Sequence, residues 1–598
     1  MKKPEKVMKP ILSEKIPSGR EWLYEVKYDG FRCLLHWKKD DIQLISRNGI
    51  SFTDQFPEII SFCEDKTDEI SDLLPLSLDG ELVILNTELQ ANFSMLQKRS
   101  RMRSKKSIEQ ISRDRPAHFL AFDLLDTKKA IYQHRKKNLV KVFQSLNLPR
   151  EISMESPLGY VQSSDNYETL FRKLDEHMGE GIVAKNKHSH YREGKRPDWL
   201  KIKNWRTLTG ILTSFHPSND YFGIAVYDDG NLLSIGKCKH GLDDKDRDTL
   251  RKFVREQGEK QGQTYLLPPA ICMDIHCLGI HDKELREPSF AAFRLDQEVE
   301  ACTRDKLNWQ LSMPPEINYT NLDKLLYPES GVTKQLLIGY LREVYPYMKP
   351  FLDNRILTVI RFPDGVKGEA FYQKHLPEYA PDFIKATKEK TQLIDSVEAL
   401  AWFGNQAAIE YHVPFQQSNS KYPSEIVFDL DPPDDNSFDM AVNAATQLHA
   451  IFNNLGLHHF VKTSGGKGLQ VYLPLPENTL SYEETAKFTE IIAETLVQYD
   501  PDSFTTERLK KNRHGRLYVD HIQHAPGKTI IAPYSPRGRE QASVATPIYW
   551  AELPEISDPS IFTIHNTLDR LHEKGCPFRT FHEVKNKQPM NVFDRFIK

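Results

Sequence analysis

The chain has 598 residues, of which 39% are hydrophobic and 27% are charged, a composition typical of a globular protein with about four domains. It contains no apolar run long enough for a membrane span, no apolar signal core after Met1, and no Cys-x-x-Cys pair among its seven cysteines. These features argue against a membrane protein, a disulfide framework and a zinc ribbon, and they predict a reduced, cytoplasmic protein. The net charge of −3 does not indicate a nucleic-acid binder, but the basic residues are clustered.

The first stretch with a chemical signal is Glu25-Val26-Lys27-Tyr28-Asp29-Gly30-Phe31-Arg32, in a predicted hairpin over residues 21–47. An ordinary lysine is a poor nucleophile at pH 7 because its amine is protonated. Desolvation or neighbouring cations can remove that proton, and the amine can then attack phosphorus or carbonyl carbon. The adjacent carboxylates oppose this change unless a divalent cation binds them. A lone Lys-x-Asp-Gly is usually a surface turn.

The motifs that follow place polar or charged side chains on predicted strands and turns. In chain order they are Arg47-Asn48-Gly49, Asp79-Gly80-Glu81, the basic residues 98–106, Phe122, the segment Glu180-Gly181-Ile182-Val183-Ala184-Lys185, and Trp199-Leu200-Lys201-Ile202-Lys203. Lys201 and Lys203 share one face of a strand, where an anion such as a triphosphate would offset their repulsion. Each motif alone fits a turn, a solvated loop or a core strand.

The order of these motifs resembles that of the covalent nucleotidyltransferase superfamily: ATP-dependent DNA ligases, RNA ligases and capping enzymes. The resemblance implies that Lys27 takes AMP from ATP as a lysyl-phosphoramidate. It also implies that Glu25 and Phe122 contact adenine, that Arg32 and Arg47 contact the nucleotide or a DNA 5′-phosphate, that Glu81 and Glu180 bind ribose or metal, and that Lys185, Lys201 and Lys203 hold the phosphates. The Lys201–Lys203 pair would also lower the pKa of Lys27.

Residues 206–303 alternate short strands with turns and include one helix, which predicts an OB-fold β-barrel. Their last segment, 286–294, resembles the closing motif of bacterial ligases with Glu287 in place of a histidine, and it implies that Arg294 orients the leaving pyrophosphate. Residues 304–318 are polar and contain proline, which indicates a linker.

In the second half, Asp429 and Asp431 lie two apart on a predicted strand and Asp520 lies on another. Three converging carboxylates suit two divalent cations, Mg²⁺ or Mn²⁺, in nucleotidyl transfer. A strand that runs into a turn would explain the pair equally well. Ser464 and Lys467, in a glycine-rich turn that is not a Walker A loop, and Arg537 could bind a triphosphate.

Residues 315–552 resemble the polymerase domain of bacterial ligase D, an archaeo-eukaryotic primase-like fold. The resemblance implies that Lys324 and Lys334 bind a DNA 5′-phosphate and that His412 contacts the incoming NTP. Gln470 and His524 depart from the family pattern, in which histidine and asparagine are expected. The order of the two halves resembles the two-domain ligase D of Bacillus-type bacteria, which lacks the phosphoesterase domain.

We therefore predict an α+β multidomain protein. Its parts are an adenylation (nucleotidyltransferase, ATP-grasp-like ligase) domain over residues 1–205, an OB-fold β-barrel over 206–303, a linker over 304–318 and a primase-like polymerase domain over 319–598.

The predicted function is that of a bifunctional, nucleoid-associated enzyme of non-homologous end joining, which uses ATP and Mg²⁺ or Mn²⁺. It would extend DNA ends and gaps with NTPs, seal nicks, and act with a Ku homodimer. Two alternatives stay open. One is an RNA ligase or capping-type enzyme, and the other is a scaffold that binds DNA ends through an inactive polymerase site.

Overall fold

The structure is a computed structural model that describes residues 6–125, 129–281, 284–313 and 317–597. Two mostly antiparallel sheets form the N-terminal domain. The five-stranded sheet has the order Met8–Leu12, Gly194–Lys203, Gly181–Asn186, Trp22–Lys27 and Ser163–Ser164. The second sheet has the order Asp41–Ser46, Phe31–Lys38, Leu76–Thr87, Ala117–Leu124 and Leu158–Tyr160, and Gln90–Ala91 pairs with its long central strand.

Five helices pack around these sheets. They are Pro57–Lys66, Phe93–Ser100, Lys105–Asp114, Tyr132–Ser145 and Tyr167–Glu176. Asn92, Ser104 and Asn166 each accept a backbone N–H at a helix N-terminus, which explains where three of the helices begin. The apolar faces of the helices and of the second sheet form one core that includes Trp37 and Phe119.

The second domain is a sheet with one helix, Asp244–Gln257. Its strands have the order Asn231–Cys238, Tyr221–Asp228, Arg206–His216, Cys272–Cys277 and Ser289–Arg294, with Thr264–Leu266 and Glu259–Gln261 added beside Arg206–His216.

The predicted β-barrel does not close in this domain. The two end strands meet in a single parallel bridge, between His240 and Ser289, and the sheet is open. At Gly241 (φ 97°) the chain crosses the backbone of Phe290 so closely that a Cβ would lie 2.1 Å from its carbonyl oxygen. The helix begins three residues later, so the edge strand ends before a ladder can form.

The segment predicted as a linker begins with a helix, Arg304–Ser312. The side chain of Gln310 accepts a hydrogen bond of 3.0 Å from the backbone N–H of Thr209 in the second domain. Trp309 contacts the edge of Tyr319 at a ring separation of 4.6 Å. Residues 304–312 therefore pack on both neighbours, and the domain boundaries remain predictions.

Among the described residues, the polymerase half contains a two-stranded sheet, Leu325–Tyr327 with Val332–Thr333, and two more extensive sheets. The larger has the order Phe504–Thr505, Leu517–Asp520, Glu425–Asp431, Leu469–Pro474, Phe460–Thr463 and Pro547–Ile548; the smaller has the order Phe371–Gln373, Thr358–Arg361, Ala408–Pro414 and Thr529–Ile531. Its main helices are Lys334–Leu352, Val397–Asn405, Phe438–Asn454 and Tyr482–Tyr499. A capping box formed by Ser481 and Glu484 begins helix Tyr482–Tyr499.

The sequence of the final segment, residues 554–598, predicts a helical element. The structure contains three short helices there, Thr567–Lys574, Phe581–Val584 and Asp594–Ile597. It also contacts the N-terminal domain. Glu583 accepts hydrogen bonds from Ser153 Oγ at 2.5 Å and from the backbone N–H of Met154 at 2.7 Å. The two halves of the chain are thus joined by direct polar contacts. Among the described residues, no helix is both long and apolar enough to cross a lipid bilayer.

Candidate active sites

The register of the five-stranded sheet gathers most of the predicted ligase residues on one face. Gly181 pairs with Lys27 on one side and with Lys203 on the other. Two residues further along the same strand, Val183 pairs with Glu25 on one side and with Lys201 on the other. Because directly opposed residues in antiparallel strands project to the same side, all four charged side chains share this face.

Lys27 forms an ion pair with Glu180 Oε1. Burial lowers the pKa of Lys27, but the carboxylate of Glu180, with Glu81 and Asp29, outweighs burial and raises the pKa above its ordinary value. The prediction that Lys201 and Lys203 lower this pKa is therefore wrong for this structure, because a carboxylate in direct contact outweighs more distant cations. The repulsion between Lys27 and Lys201 is mutual, and it adds to burial in lowering the pKa of Lys201.

Glu25 lies at the inner end of the face and is 1% exposed. It forms ion pairs of 2.5 Å with Lys136 and with Lys185, and it accepts hydrogen bonds from Tyr132 and Ser163. Burial raises the pKa of Glu25, but the two ammonium groups dominate and hold it at about 2. Lys185 therefore pairs with Glu25, at the end where adenine contacts are predicted.

Aromatic rings surround the Lys185 ammonium. It lies 4.5 Å from the ring centroid of Phe122 and 4.3 Å from that of Trp199, distances suited to cation–π contact. Arg32 lies 5.2 Å from the Phe122 ring and donates to both carboxylate oxygens of Asp79, at 2.9 and 2.6 Å. In this structure Asp79 occupies much of the guanidinium that we predict to contact the nucleotide.

A cleft of about 730 Å³ opens over this face. Eight of the eleven predicted ligase-site residues line this cleft: Glu25, Lys27, Arg32, Arg47, Glu81, Phe122, Lys185 and Lys201. Basic residues of the predicted cationic stretch, Arg101 and Arg103, line its rim. Glu180 and Lys27 also line an adjoining cleft of about 430 Å³.

Arg294 lies elsewhere, on the outer strand of the second domain, where it pairs with Asp274 at 3.1 Å and Asp296 at 2.9 Å. It lines neither cleft. Two neighbours earlier in the same segment reach the site instead. Arg286 pairs with Asp29 at 2.5 Å, and Glu287 pairs with Lys203. Both residues lie inside the predicted closing motif, residues 286–294, which was the available signal for them.

Glu81 and Glu180 fit a divalent cation by their chemistry. Burial raises the pKa of Glu81 to about 8 despite the opposing charges of Lys27 and Arg32. Glu180 Oε2 is buried and has no hydrogen-bond partner. The two carboxylates repel each other, and one oxygen of Glu180 has no partner. A divalent cation bound between them would offset the repulsion and coordinate that oxygen.

The second cluster lies on the large sheet of the polymerase half. Asp429 pairs directly with Asp520 on one neighbouring strand and with Gln470 on the other, and Asp431 follows two residues later. All three carboxylates therefore project from one face. Burial raises the pKa of Asp429 to about 6; a hydrogen bond from Gln470 opposes the shift, and Asp520 and Asp431 add to it.

Asp431 is held by two cations, Lys467 Nζ at 3.1 Å and Arg513 Nη1 at 3.1 Å. This arrangement differs from the predicted convergence: within residues 6–125, 129–281, 284–313 and 317–597, no three His, Cys, Asp or Glu side chains are grouped as metal ligands. The donor set nevertheless fits divalent cations, because Asp429 and Asp520 are opposed and Gln470 Oε1 is buried without a partner. The ammonium of Lys467 has to leave Asp431 before that carboxylate can bind a cation.

The row of Asp429 and Gln470 continues to Lys462, which is fully buried. Burial and the nearby Arg537 lower the pKa of Lys462 well below its ordinary value. Lys462 is absent from our predicted site, although its alternating position in the strand before the glycine-rich turn is a signal. Ser464 Oγ accepts the N–H groups of Gly466 and Gly468, both at 3.1 Å, and so orders that turn.

His412 and Arg537 meet at Glu410. The Nε2 atom of His412 lies 2.9 Å from one oxygen of Glu410, and Nε of Arg537 lies 3.3 Å from the other. His524, in contrast, is a core residue: it contacts Thr485 Oγ1 at 3.0 Å and packs on Phe415. Its departure from the family pattern therefore does not remove a contact from the carboxylate face.

Lys324 and Lys334 lie together at the start of helix Lys334–Leu352. The backbone N–H of Lys334 donates to the carbonyl of Lys324 at 2.8 Å. Lys324 is half-buried and pairs with Asp364, whereas Lys334 is buried and donates to the carbonyl of Asn405 at 3.0 Å. Burial, and then Lys324, lower the pKa of Lys334.

Comparisons with known proteins identify the family of each half of the chain. The family described as ATP dependent DNA ligase domain matches residues 2–203, and the family described as LigD, primase-polymerase domain, matches residues 333–578. The chain is 39% identical to the bifunctional non-homologous end joining protein LigD of Bacillus subtilis, over 99% of both chains. It is 24% identical to the multifunctional LigD of Pseudomonas aeruginosa, over 94% of this chain and 70% of that one.

Among solved structures, the polymerase domain of Mycobacterium tuberculosis ligase D in complex with DNA is 32% identical and has a TM-score of 0.41, with 46% of this chain and 100% of that chain covered. The predicted family and its two catalytic halves are confirmed. The chain belongs to the LigD family of bifunctional non-homologous end joining proteins, which combine an ATP-dependent DNA ligase domain with a primase-polymerase domain.

Proposed function

We propose that the chain extends and seals DNA ends at two separate sites, with Lys27 as the ligase nucleophile and the face of Asp429, Asp431 and Asp520 as the polymerase site. One observation carries the ligase assignment. Lys27 lies at the junction of two clefts, paired with Glu180 and on the same sheet face as Lys201 and Lys203. An amine, a proton acceptor and phosphate-binding cations are thereby placed together.

In the first step, Lys27 Nζ loses a proton and attacks the α-phosphorus of ATP. A nitrogen–phosphorus bond forms, and the bond to pyrophosphate breaks. Glu180 accepts a hydrogen bond from Lys27 and is placed to take the proton. Lys201 and Lys203 stabilise the charge that develops on the departing pyrophosphate. A Mg²⁺ or Mn²⁺ ion held by Glu81 and Glu180 would supply the positive charge that offsets the raised pKa of Lys27.

In the later steps, an oxygen of the DNA 5′-phosphate attacks the lysyl-AMP phosphorus and frees Lys27. The 3′-hydroxyl then attacks the 5′-phosphate and AMP leaves, which seals the nick. Arg32 and Arg47, at the wall and rim of the larger cleft, are positioned for contacts with the nucleotide or the phosphate.

In the polymerase half, a primer 3′-hydroxyl attacks the α-phosphorus of an NTP and releases pyrophosphate. Asp429, Asp431 and Asp520 would hold Mg²⁺ or Mn²⁺, which lowers the charge barrier to this attack. Ser464, Lys467, Gln470, His412 and Arg537 would bind the NTP, and Lys324 and Lys334 would hold the 5′-phosphate of the DNA end. The unpartnered Gln470 Oε1 supports a ligand contact at this point.

Separate loss of the two activities tests the assignment. On a gapped, 5′-phosphorylated duplex with ATP, NTPs and Mn²⁺, Lys27→Ala should abolish sealing and keep extension. Asp429→Ala with Asp431→Ala should abolish extension on the gapped duplex and keep the sealing of a nicked, 5′-phosphorylated duplex, because an unfilled gap leaves no adjacent 3′-hydroxyl to join. Unchanged extension by the double variant would contradict the polymerase assignment and support the alternative of a DNA-end-binding scaffold with an inactive polymerase site. Labelling of Lys27 by α-labelled GTP in place of ATP would support the capping-type alternative.

The proposed setting is the nucleoid, where a Ku homodimer would hold the two DNA ends. Adding purified Ku from the same organism to the wild-type chain and linear DNA should increase end joining. Equal joining with and without Ku would contradict this partnership.

A further inference from the structure

A polymerase-half arginine, Arg342, is buried against the ligase half. It belongs to helix Lys334–Leu352, and its side chain is 1% exposed. Its guanidinium donates to the backbone carbonyls of Asp175 at 2.8 Å and Glu176 at 3.1 Å. Those carbonyls belong to the last turn of helix Tyr167–Glu176 in the N-terminal domain. Carbonyls at a helix C-terminus lack intrahelical partners and carry partial negative charge, so the arginine caps this helix from another domain.

The capped turn leads directly to Glu180. After the helix ends, Met178 adopts a left-handed conformation with φ of 52°, which is unusual for a side chain of this size. At Gly179 a Cβ would lie 2.8 Å from the carbonyl oxygen of Leu89. Asn204 donates to the Gly179 carbonyl at 3.2 Å through its side chain and to the Glu180 carbonyl at 2.9 Å through its backbone. Residues 176–179, whose backbone is held by these contacts, therefore connect the arginine-capped carbonyl of Asp175 to Glu180, the carboxylate that pairs with Lys27.

The same helix also borders the site. Glu343, the neighbour of Arg342, lines the 430 Å³ cleft together with Lys27, Glu180 and His572. Two of these four residues come from the polymerase half. The carbonyl of His572 accepts a hydrogen bond of 2.9 Å from Asn92 in the N-terminal domain. The polymerase half is thus part of the wall around the ligase nucleophile.

We propose that Arg342 is a positioning residue of the ligase reaction: it fixes the end of helix Tyr167–Glu176 and so places Glu180 against Lys27. The proposal rests on the roles proposed above for Lys27 and Glu180. A displacement of about 1 Å in a catalytic group costs up to about a hundredfold in rate. Removal of the cap therefore weakens ligation although Arg342 touches no reacting atom.

The test measures lysyl-AMP formation by the full chain with α-labelled ATP. Arg342→Ala should lower the maximal rate by about tenfold or more and change KM for ATP by less than about twofold, because the Glu25 end of the cleft is untouched. Primer extension in the same preparation should stay within about twofold of wild type. Added guanidinium ion should restore part of the lost rate by occupying the space of the missing side chain.

Lys587→Ala is the matched control. It removes another contact between the halves, the exposed ion pair with Glu155, without touching residues 175–180. Its adenylylation rate should equal that of wild type. A rate of Arg342→Ala equal to that of wild type would overturn the proposal.

If Arg342→Ala loses primer extension as well, Arg342→Met decides, since it keeps an apolar stem but has no group that can donate to the carbonyls of Asp175 and Glu176. A reduced adenylylation rate with normal extension supports the proposal, and a normal rate overturns it. Failure of the underlying assignment looks different: wild type would take no label, or Lys27→Ala would keep it.

Discussion

Glu25 offers a prediction at the scale of a single residue. Replacing Glu25 with Gln leaves Lys136 and Lys185 buried without their carboxylate, which should lower the free energy of unfolding by about 3 to 5 kcal/mol. Urea unfolding at pH 7 measures the change. The exposed Glu483, 3.8 Å from Lys487, is the matched control, and Glu483→Gln should change the free energy by less than about 1 kcal/mol.

The pH dependence of this difference has a definite sign. The pKa of Glu25 is about 2 in the folded chain and about 4.3 in an unfolded chain. Its contribution is therefore complete above pH 4.3 and is lost as the pH falls toward 2. The difference between wild type and Glu25→Gln should shrink over that window, and a constant difference would contradict the ion-pair account.

At this scale the sequence predicted which side chains share the site but not their partners. Lys27, Glu25, Lys201 and Lys203 share a face because strand periodicity is local. Two partners of Glu25, Tyr132 and Lys136, come from a helix more than 100 residues away, and no local pattern identifies Lys136 among many surface lysines. The direction of the Lys27 pKa was wrong for the same reason, since it depends on contact with Glu180, 153 residues away.

Among elements, the glycine-rich turn and the aspartate strand make a sharp prediction. A Cβ at Gly468 would lie 2.0 Å from the carbonyl oxygen of Leu430, between Asp429 and Asp431. Gly468→Ala should therefore displace the strand and reduce primer extension by about a hundredfold, while adenylylation of Lys27 stays unchanged. Gly339→Ala is the control, because nothing lies within 4 Å of its Cβ position in a helix interior. Equal extension by both variants would contradict the predicted displacement.

Element types were predictable where the pattern was strong. The strand of Asp429 and Asp431 appears as predicted, since the alternation of residues along a strand is a local signal. Helix Arg304–Ser312 was missed because its polar composition resembled a linker, although Leu307 and Leu311 are spaced four apart. The sheet of the second domain stays open where the chain at Gly241 crosses Phe290, and only the folded chain reveals this crossing.

For the whole molecule, buried histidines predict sensitivity to acid. Burial lowers the pKa values of His118, His524 and His582 to about 3 each. Below pH 6.5 these histidines are protonated in the unfolded chain but stay neutral in the folded chain. The free energy of unfolding therefore falls by about 1.4 kcal/mol per pH unit for each histidine as the pH decreases. Urea unfolding from pH 7 to pH 5 should show this loss.

His524→Gln tests one share of that loss. Its stability should depend less steeply on pH than that of wild type, whereas the exposed His188→Gln should match the wild-type slope. Identical slopes for all three proteins would contradict a neutral, buried His524.

The order of the two halves could be predicted from motifs, and the comparisons confirm the family. Their mutual contacts could not. Arg342 and Asp175 are 167 residues apart, and an arginine on an amphipathic helix carries no sign that it caps a helix in another domain.

Two ion pairs connect the second domain to residues near the ligase nucleophile, Arg286 with Asp29 and Glu287 with Lys203. Both break if that domain moves away to admit a duplex. Incoming phosphates can then neutralise Arg286 and Lys203, while Asp29 and Glu287 return to water. A duplex admitted in this way would replace two protein carboxylates with its own phosphates as the partners of these two cations.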